Sequence, residues 1–408
     1  MDKKQLAVIT STRAEYGLLR PVLQKLAASS CLEPVLLVTG AHLSPRYGET
    51  VREIETDPLA PPIAERLPIL AEGETTAQTV ARTLAAFTAC FARCRPDAVL
   101  VLGDRYEIFA AAAAAALACL PIAHISGGDV TAGAADDWYR HCITKMACLH
   151  FPSCAAYARR LVRMGEAPQT VHLVGGLGDE NIRSMPKLSR KKLAASVGLD
   201  LSGRYGLVTY HPETAPGAPD PEAQMRQFLA ALETAGRAHG VKWLLTGANA
   251  DAGGEAINAL ARNWAAAHPG QAAFFASLGV QRYLSAMQYA AVVAGNSSSG
   301  VVETPSFGVP AVNVGRRQAG RIRCQNVLCC GAAQAEVEAA LATALSPGFL
   351  QQARAVKSPY NGGDTSGRIV SALEQALFAP GFGAPKGFYD GPVPPEWQQA
   401  AEQQAETV

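Results

Sequence analysis

Short apolar runs alternate with longer amphipathic segments along the first half of the chain. Each apolar run has the length of a buried strand: Gln5–Thr10, Pro34–Thr39, Ala98–Leu102, Ile122–Ile125, Leu149–Phe151 and Val171–Val174. The segments between them carry apolar residues at helical spacing, as in Leu18–Leu26 and in the row Val80, Leu84, Phe87 and Phe91. This alternation predicts a parallel sheet with helices on both of its faces.

The alternation stops between residues 186 and 204, where the chain is basic and polar, and then starts again. The second series predicts strands at Gly206–Tyr210, Lys242–Thr246, Ala290–Ala294 and Pro310–Val314. A chain of 408 residues has enough material for two hydrophobic cores. We therefore predict an α/β protein of two Rossmann-like, doubly wound domains that face each other across a cleft. The first spans residues 1–185, the second residues 186–375, and a tail of residues 376–408 packs back onto the first domain.

One polar stretch, Gly295–Gly300, joins a predicted strand to a predicted helix that starts near Val301. A chain that turns from strand to helix at a glycine leaves free backbone N–H groups, and together with the helix dipole these favour an anion. The serines Ser297, Ser298 and Ser299 add hydroxyl donors, and Glu303, about one turn later, is placed to accept from sugar hydroxyls. The stretch indicates a site for a diphosphate with a ribose attached. An ordinary loop with serine caps is the alternative.

Polar clusters also follow strands of the first domain, around Arg13, His42, Asp104 and Asp129. In doubly wound sheets, ligands bind beyond the carboxyl ends of the strands. Because the clusters fall at those ends, we expect them to meet in one site. In the second domain, His211 and Asn249 follow strands in the same way.

Composition narrows the classes of partner. The net charge is +1 without long runs of one sign, which argues against a role on nucleic acid or on a membrane surface. The ten cysteines form no CxxC pair and match no zinc spacing, so we expect most of them to be buried small hydrophobes, and we expect no metal site. The amino terminus leads into a strand without the apolar region of a signal peptide, which predicts a protein of the reducing cytoplasm.

Several motifs in order carry a resemblance to a known family. They run from residue 10 to about residue 368, and each is unspecific by itself: Thr10–Tyr16, Thr39–Pro45, Gly103–Glu107, Gly127–Asp129 with Arg140–His141 and Thr144–Lys145, Tyr210–Pro212, Asn249–Gly254, Gly295–Gly300, and Phe307–Pro310 with Gly315–Gln318. Together they resemble the hydrolysing nucleotide-sugar 2-epimerases of sialic- and legionaminic-acid synthesis. Those enzymes are related to the UDP-N-acetylglucosamine 2-epimerases and share the glycosyltransferase-B fold.

The resemblance implies a substrate and a reaction. The substrate would be a UDP- or GDP-linked 2-acetamido sugar, either UDP-N-acetylglucosamine or the N,N′-diacetylbacillosamine nucleotide. The enzyme would break the C1–O bond, pass through a 2-acetamidoglycal and add water. The product would be a free sugar inverted at C2, such as N-acetylmannosamine. The resemblance further implies that no metal, nicotinamide or other cofactor is needed, and that the protein is a homodimer or homotetramer.

Such a reaction needs a cationic, donor-rich cradle for the departing diphosphate. The candidates are Arg13, His211, Ser297 and Ser298, with Glu303 on the ribose hydroxyls. His211 is also a catalytic candidate, because a protonated imidazole can contact the phosphate or the leaving oxygen, and a histidine of the core is the alternative. The rest of the predicted binding set is Asn249, Asn296, Ser299 and Arg321.

The reaction also needs carboxylates that remove and return a proton at C2. The candidates are Asp104, Asp129, Asp136 and Asp137, with Arg140 and His141 in support. Asp104 has an alternative interpretation as a helix N-cap, and Asp129 as a turn residue. Many members of the family carry glutamate at the position of Asp129, which leaves the role of this residue open. The acid and base roles among the four carboxylates also stay open.

Three other functions are compatible with these patterns. A non-hydrolysing 2-epimerase would rebuild the bond and release a nucleotide sugar. A retaining glycosyltransferase of the same fold would not need the carboxylates of the first domain. A nucleotide-sugar-binding regulator would bind tightly without turnover.

Overall fold

Residues 3–131, 135–213, 220–248 and 253–405 are described by a computed structural model of the protein. Contacts divide the chain into two units. Unit 1 consists of Met1–Asp129, Asp136–Asn181 and Tyr360–Gln404, and unit 2 consists of Val130–Ala135, Ile182–Pro359 and Ala405–Val408.

Unit 1 is built on a six-stranded parallel sheet. Its strands are β1 (Lys4–Thr10), β2 (Leu32–Thr39), β3 (Ile63–Leu67), β4 (Ala98–Leu102), β5 (Ile122–Ile125) and β6 (Leu149–Phe151). Its helices are α1 (Arg13–Ala27), α2 (Val51–Glu55), α3 (Thr76–Cys94), α4 (Tyr106–Leu117), α5 (Asp136–Met146), α6 (Ala155–Arg163) and α7 (Leu177–Ser184), within which the chain passes to unit 2. The strand order β3-β2-β1-β4-β5-β6 is that of a Rossmann sheet.

Unit 2 repeats this topology. Its strands are β7 (Tyr205–Thr209), β8 (Lys242–Thr246), β9 (Ala272–Phe275), β10 (Val292–Gly295), β11 (Ala311–Val314) and β12 (Val327–Cys330), and their order is β12-β11-β10-β7-β8-β9. Its helices are α8 (Arg190–Val197), α9 (Pro221–His239), α10 (Gly254–Ala267), α11 (Gly279–Tyr289), α12 (Ser299–Val302), α13 (Thr304–Phe307), α14 (Gln334–Ala344) and α15 (Pro347–Ala355). The predicted α/β class and both doubly wound sheets are therefore confirmed.

The end of the chain returns to unit 1, where it forms α16 (Thr365–Leu377) and α17 (Pro395–Ala405). Ile369 and Leu373 of α16 are fully buried in the same core cluster as Leu19 and Leu23 of α1. The second unit therefore ends at Pro359 and not at residue 375, because the apolar face of α16 completes the core on the α1 side of the first sheet. Among the described residues, the helices are all too short or too polar to cross a membrane.

The strand predictions differ from the structure mainly at sheet edges. Three strands without a predicted counterpart, β3, β9 and β12, are edge strands with partly exposed residues. The predicted strand Val171–Val174 is reduced to a single bridge between Val171 and His150. Edge strands are paired on one side only, so their sequences need less continuous apolar character than central strands.

Candidate functional site

The predicted site residues gather where the strand order of each sheet reverses. In unit 1 this point lies between β1 and β4, which lead to Arg13 and Asp104. In unit 2 it lies between β7 and β10, which lead to His211 and Asn296. At such a switch point, neighbouring strands send their following loops to opposite sides and leave room for a ligand.

In unit 1, the Arg140 guanidinium on α5 joins two of the predicted carboxylates. It pairs with Asp104 after β4, and its Nη1 lies 2.9 Å from Oδ1 of Asp137. The Arg140 side chain is only 1% exposed, whereas Asp104 and Asp137 keep 24% and 16% of theirs accessible. The arginine is therefore buried against the two carboxylates, and part of each carboxylate stays accessible. From the sequence, Arg140 was predicted only to support the carboxylates. In the structure it is the residue that joins Asp104 and Asp137.

The other two predicted aspartates lie next to this group. Asp129, after β5, is buried, and its backbone carbonyl accepts a hydrogen bond of 3.0 Å from Nη1 of Arg140. Asp136 is the first residue of α5, where a carboxylate interacts favourably with the helix dipole. His141 lies one turn after Asp137, with 3.7 Å between Nε2 and Oδ2. All four carboxylates are thus gathered around the start of α5 and the ends of β4 and β5.

The turn that carries Asp104 is held by a buried histidine. Nε2 of His124 donates a hydrogen bond of 2.8 Å to the Gly103 carbonyl, and Nδ1 lies 3.4 Å from Oγ1 of Thr144 on α5. Burial lowers the pKa of His124 to about 3, so the ring is neutral at physiological pH. A neutral ring that donates from Nε2 must accept at Nδ1, and this fixes the direction of both hydrogen bonds.

A second acidic group at the switch point was not singled out from the sequence. Glu15 accepts hydrogen bonds from the backbone and hydroxyl of Ser11, both 2.8 Å long, and closes a capping box with Thr12. The pKa of Glu15 is raised to about 7, mainly by burial. The charge of Arg105 opposes this rise, and the charge of Glu107 adds to it. Arg105 is itself paired with the buried Glu107 at 3.0 Å. Its place in a capping box gives Glu15 a structural role, and no pattern in the sequence distinguishes that role from a chemical one.

Two further predicted positions have partners in unit 1. Arg13 opens α1 and pairs with Glu53 at 2.9 Å, but both side chains are partly exposed. An exposed pair of this kind is worth little, so an anionic ligand can displace Glu53. His42 is fully buried between the hydroxyls of Thr10 and Thr50, and burial lowers its pKa to about 4. His42 is therefore a neutral part of the core beneath the site.

In unit 2, the Asn296 side chain connects the ends of β7 and β10. Its Oδ1 accepts from the His211 backbone N–H at 2.6 Å, and its Nδ2 donates to the His211 carbonyl at 2.8 Å. Asn296 is fully buried, and its side chain holds His211 in place. Its role in direct binding stays a prediction. The Asn296 carbonyl in turn accepts from Nε2 of Gln318 at 2.9 Å.

The helix predicted after Gly300 is two separate single turns, α12 and α13. Pro305 has no backbone N–H and falls in the first turn of α13, where it interrupts the helical hydrogen bonds. The backbone amides of Ser297–Gly300 therefore line a short turn. Gly295 has a φ of +131°, which favours glycine, and allows the chain to pass directly over Thr209.

Tyr283 of α11 organises the serines of this loop, a role that the sequence analysis missed. Its hydroxyl contacts Oγ of Ser299 and also interacts with Ser297 and Thr209. Burial, followed by the charge of Glu303, raises the pKa of Tyr283 to about 12, so the phenol remains a hydrogen-bond donor. Ser298 precedes α12 as its N-cap residue.

The remaining predicted binding residues belong to loops of unit 2. Arg321 follows β11 and is partly buried, and Nη1 of the nearby Arg317 is 3.4 Å from the Asn296 carbonyl. Asn249 lies outside the described residues. Within the described residues, histidine, cysteine and carboxylate side chains form no group of three or more that could hold a metal ion.

Comparison with known proteins identifies the family. The sequence profile of the UDP-N-acetylglucosamine 2-epimerases matches residues 24–374, which is most of both sheets. The chain belongs to this family.

Three relatives of this 2-epimerase exceed 30% identity, and two of them are named as hydrolysing 2-epimerases. The GDP/UDP-N,N′-diacetylbacillosamine 2-epimerase (hydrolyzing) of Campylobacter jejuni is 36% identical over 80% of the chain and 84% of its own length. The UDP-N,N′-diacetylbacillosamine 2-epimerase (hydrolyzing) of Legionella pneumophila is 33% identical over 80% of the chain and 84% of its own length. The family predicted from the motifs is therefore confirmed.

A solved structure supports the fold of the 2-epimerase. The UDP-N-acetylglucosamine 2-epimerase of Neisseria meningitidis, bound to UDP-N-acetylglucosamine, superposes with a TM-score of 0.76 at 16% identity. The match covers 91% of this chain and all of the other. The glycosyltransferase-B-like fold implied by the resemblance is thus confirmed.

In this 2-epimerase, Glu303 is expected to lower the stability of unit 2 at neutral pH. Burial raises the pKa of Glu303 from 4.5 to about 7, so between these values the folded state holds a proton that the unfolded state has lost. Stability from this group therefore falls as pH rises through that window and stays lower above it. We expect Glu303→Gln to raise the stability of unit 2 above pH 7 by on the order of 1 kcal/mol, and not below pH 4.5.

Thermal unfolding at both ends of this pH window measures the effect. Glu255→Gln, at an exposed position in the first turn of α10, is the control and is expected to give no gain above the window. An equal gain for Glu303→Gln at every pH would contradict the role of ionisation.

Proposed function

We propose that the protein is a hydrolysing 2-epimerase that acts on a nucleotide-linked 2-acetamido sugar, and that this sugar is N,N′-diacetylbacillosamine. The pair of accessible carboxylates joined by Arg140 is the observation that carries the chemistry. The names of two relatives above 30% identity, both hydrolysing N,N′-diacetylbacillosamine 2-epimerases, support the choice of sugar and of reaction.

The first step is the elimination of the nucleoside diphosphate. A carboxylate of unit 1 takes the C2 proton, the C1–O bond breaks with its electrons going to the diphosphate, and a C1=C2 double bond forms. Positive charge develops at C1 as the bond breaks, so nearby carboxylates stabilise the transition state. Asp104 and Asp137 are the two carboxylates that Arg140 orients for this task.

In the second step, water adds across the double bond. A carboxylate acting as base takes a proton from water as the water oxygen bonds to C1. An acid on the other face delivers a proton to C2, which inverts that centre. This requires at least two carboxyl groups in different protonation states, and clustered carboxyls raise one another's pKa. Asp129 and Asp136 complete such a cluster around the start of α5.

Unit 2 has the features of a nucleotide site. The amides and hydroxyls of Ser297, Ser298 and Ser299 can bind the diphosphate, with His211 beside them on the loop fixed by Asn296. Glu303 is partly buried and follows α12, where it can accept from ribose hydroxyls. In unit 1, Arg13 is a cation whose exposed partner Glu53 an anionic group can displace.

Two finer aspects also belong to this proposal. The enzyme works as a homodimer or homotetramer, which the resemblance implies, and in a reducing cytoplasm on the route to a sialic- or legionaminic-type acid. The ten cysteines support the compartment, because each of them is a free thiol in the structure.

Proton NMR in deuterated water tests the reaction. UDP-N,N′-diacetylbacillosamine is expected to give UDP and a free sugar that is inverted and deuterated at C2, and UDP-N-acetylglucosamine is the comparison substrate. A deuterated nucleotide sugar would show instead that the enzyme is a non-hydrolysing epimerase. Binding without any turnover of either substrate would show a regulator.

A further inference from the structure

A lysine of the C-terminal segment, residues 378–404 after α16, binds the end of α5, the helix that carries Asp136 and Asp137. The Lys386 ammonium donates to the carbonyls of Thr144 at 3.1 Å and Ala147 at 2.6 Å, and pairs with Oε2 of Glu166 at 2.5 Å. Thr144 and Ala147 form the C-terminal end of α5, where backbone carbonyls lack partners within the helix. A cation at this position satisfies the carbonyls and interacts favourably with the helix dipole.

Glu166 is a buried anchor for this ammonium group. The carboxylate is 1% exposed and also contacts Lys145 at 2.6 Å and His150 at 3.0 Å. Burial opposes its ionisation, but His150, Lys145 and Lys386 together hold the pKa of Glu166 at about 2. The carboxylate is therefore charged throughout the physiological range and holds Lys386 in place.

The rest of the segment is attached to unit 1 by other contacts. The Phe388 ring lies against Gly165 and beneath the Lys145 ammonium, which is 4.9 Å from the ring centroid. Tyr389 donates its backbone N–H to the Gly165 carbonyl at 2.9 Å, and Trp397 packs on the cluster that contains Leu161. On the N-terminal side of Lys386, α16 is packed in the core of unit 1. The segment is thus anchored on both sides of the α5 contact, and Lys386 is not needed merely to keep the chain there.

From Lys386, two routes of direct contact lead to the predicted catalytic group. One is α5 itself, a rigid helix with Thr144 near its end and Asp137 and Arg140 in its first two turns. The other runs from the Thr144 side chain through His124 to the Gly103 carbonyl, the residue before Asp104. Both routes end on the Asp104–Arg140–Asp137 group.

We propose that Lys386 is a positioning residue for the epimerase reaction, because it fixes the C-terminal end of α5 and thereby sets the alignment of Asp104 and Asp137 through Arg140 and His124. The inference rests on the proposed function, and it adds a contribution from the C-terminal segment to a site formed by strand ends. Lys386 touches no reacting atom, and its effect is on geometry.

The test compares Lys386→Met with Lys145→Met in the full chain. Both variants remove one ammonium group from Glu166, but only Lys386→Met releases the carbonyls of Thr144 and Ala147. We expect Lys386→Met to lower kcat by about tenfold to a hundredfold, because a displacement of about 1 Å can have this effect. KM is expected to change little, since neither route from Lys386 reaches the proposed nucleotide contacts. Lys145→Met is expected to keep kcat, and Lys386→Arg to restore most of it.

Several outcomes would overturn the inference. Unchanged kcat in a folded Lys386→Met protein would do so, and so would equal losses in the two methionine variants. If Lys386→Met does not fold, Phe388→Ala is used instead, because it loosens the segment next to Lys386. Faster hydrogen exchange of α5 with a lower kcat would then support the inference, and faster exchange with an unchanged kcat would overturn it. Wild-type turnover is measured first, because its absence would refute the proposed function and not the role of Lys386.

Discussion

Substitution of Arg140 by methionine is expected to abolish measurable turnover and to destabilise unit 1 by about 3–5 kcal/mol, the usual cost of removing one partner from a buried ion pair. The side chain is 1% exposed and interacts with Asp104, Asp137 and the Asp129 carbonyl. Methionine fills similar space but leaves two carboxylates close together without the cation between them. Their repulsion would move both away from the alignment that proton transfer needs.

Hydrogen exchange followed by mass spectrometry separates this loss from a global effect. Peptides covering β4 and β5 should lose protection in the Arg140→Met variant, whereas peptides from β7 and β8 of unit 2 should not. Arg93→Met is the matched control, because Arg93 forms an exposed pair with Glu65 at 3.1 Å, and such pairs contribute less than about 1 kcal/mol. Normal turnover in Arg140→Met would refute the central role of this residue.

Substitution of Gly295 by alanine is expected to prevent the native folding of unit 2, at a cost above about 4 kcal/mol. A Cβ atom at this position would lie 2.0 Å from the Thr209 carbonyl oxygen, and φ is +131°, which alanine rarely adopts. Thr209 is paired with Gly295 between two central strands, so neither backbone can move without breaking the sheet.

Gly300→Ala is the control from the same loop. Its Cβ would lie 3.7 Å from Val293, which is an ordinary contact. The control is expected to keep the stability of unit 2, as measured by hydrogen exchange of β7 and β10 peptides. Native protection of β7 in Gly295→Ala would show that the strand pair can separate at low cost, contrary to this expectation.

Apolar runs in the sequence predicted the central strands because these are buried on both faces. β4 and β7 are fully buried, and both were predicted within two residues of their observed ends. The edge strands β3, β9 and β12 escaped prediction, since partial exposure gives them mixed sequences. The helix α16 was assigned to the wrong unit because the sequence does not show which core an amphipathic helix completes.

The site was predictable where chemistry follows strand ends and unpredictable where it depends on packing. Asp104 and His211 follow strands directly, so the fold class alone places them near a ligand. Three other features depend on side-chain orientation: the buried position of Arg140, the two hydrogen bonds between the Asn296 side chain and the His211 backbone, and the contact of Tyr283 with the serines. Residue type and spacing carry no information about those orientations.

The return of α16 to unit 1 also determines when that unit can form during synthesis. The chain leaves unit 1 after Asn181 and does not re-enter it until Tyr360, when all of β7–β12 has been made. Ile369 and Leu373, which cover α1, therefore emerge from the ribosome after the strands of unit 2. Until then the part of α1 that α16 covers stays exposed, and a nascent or truncated chain that ends before α16 presents this apolar surface to chaperones and to aggregation.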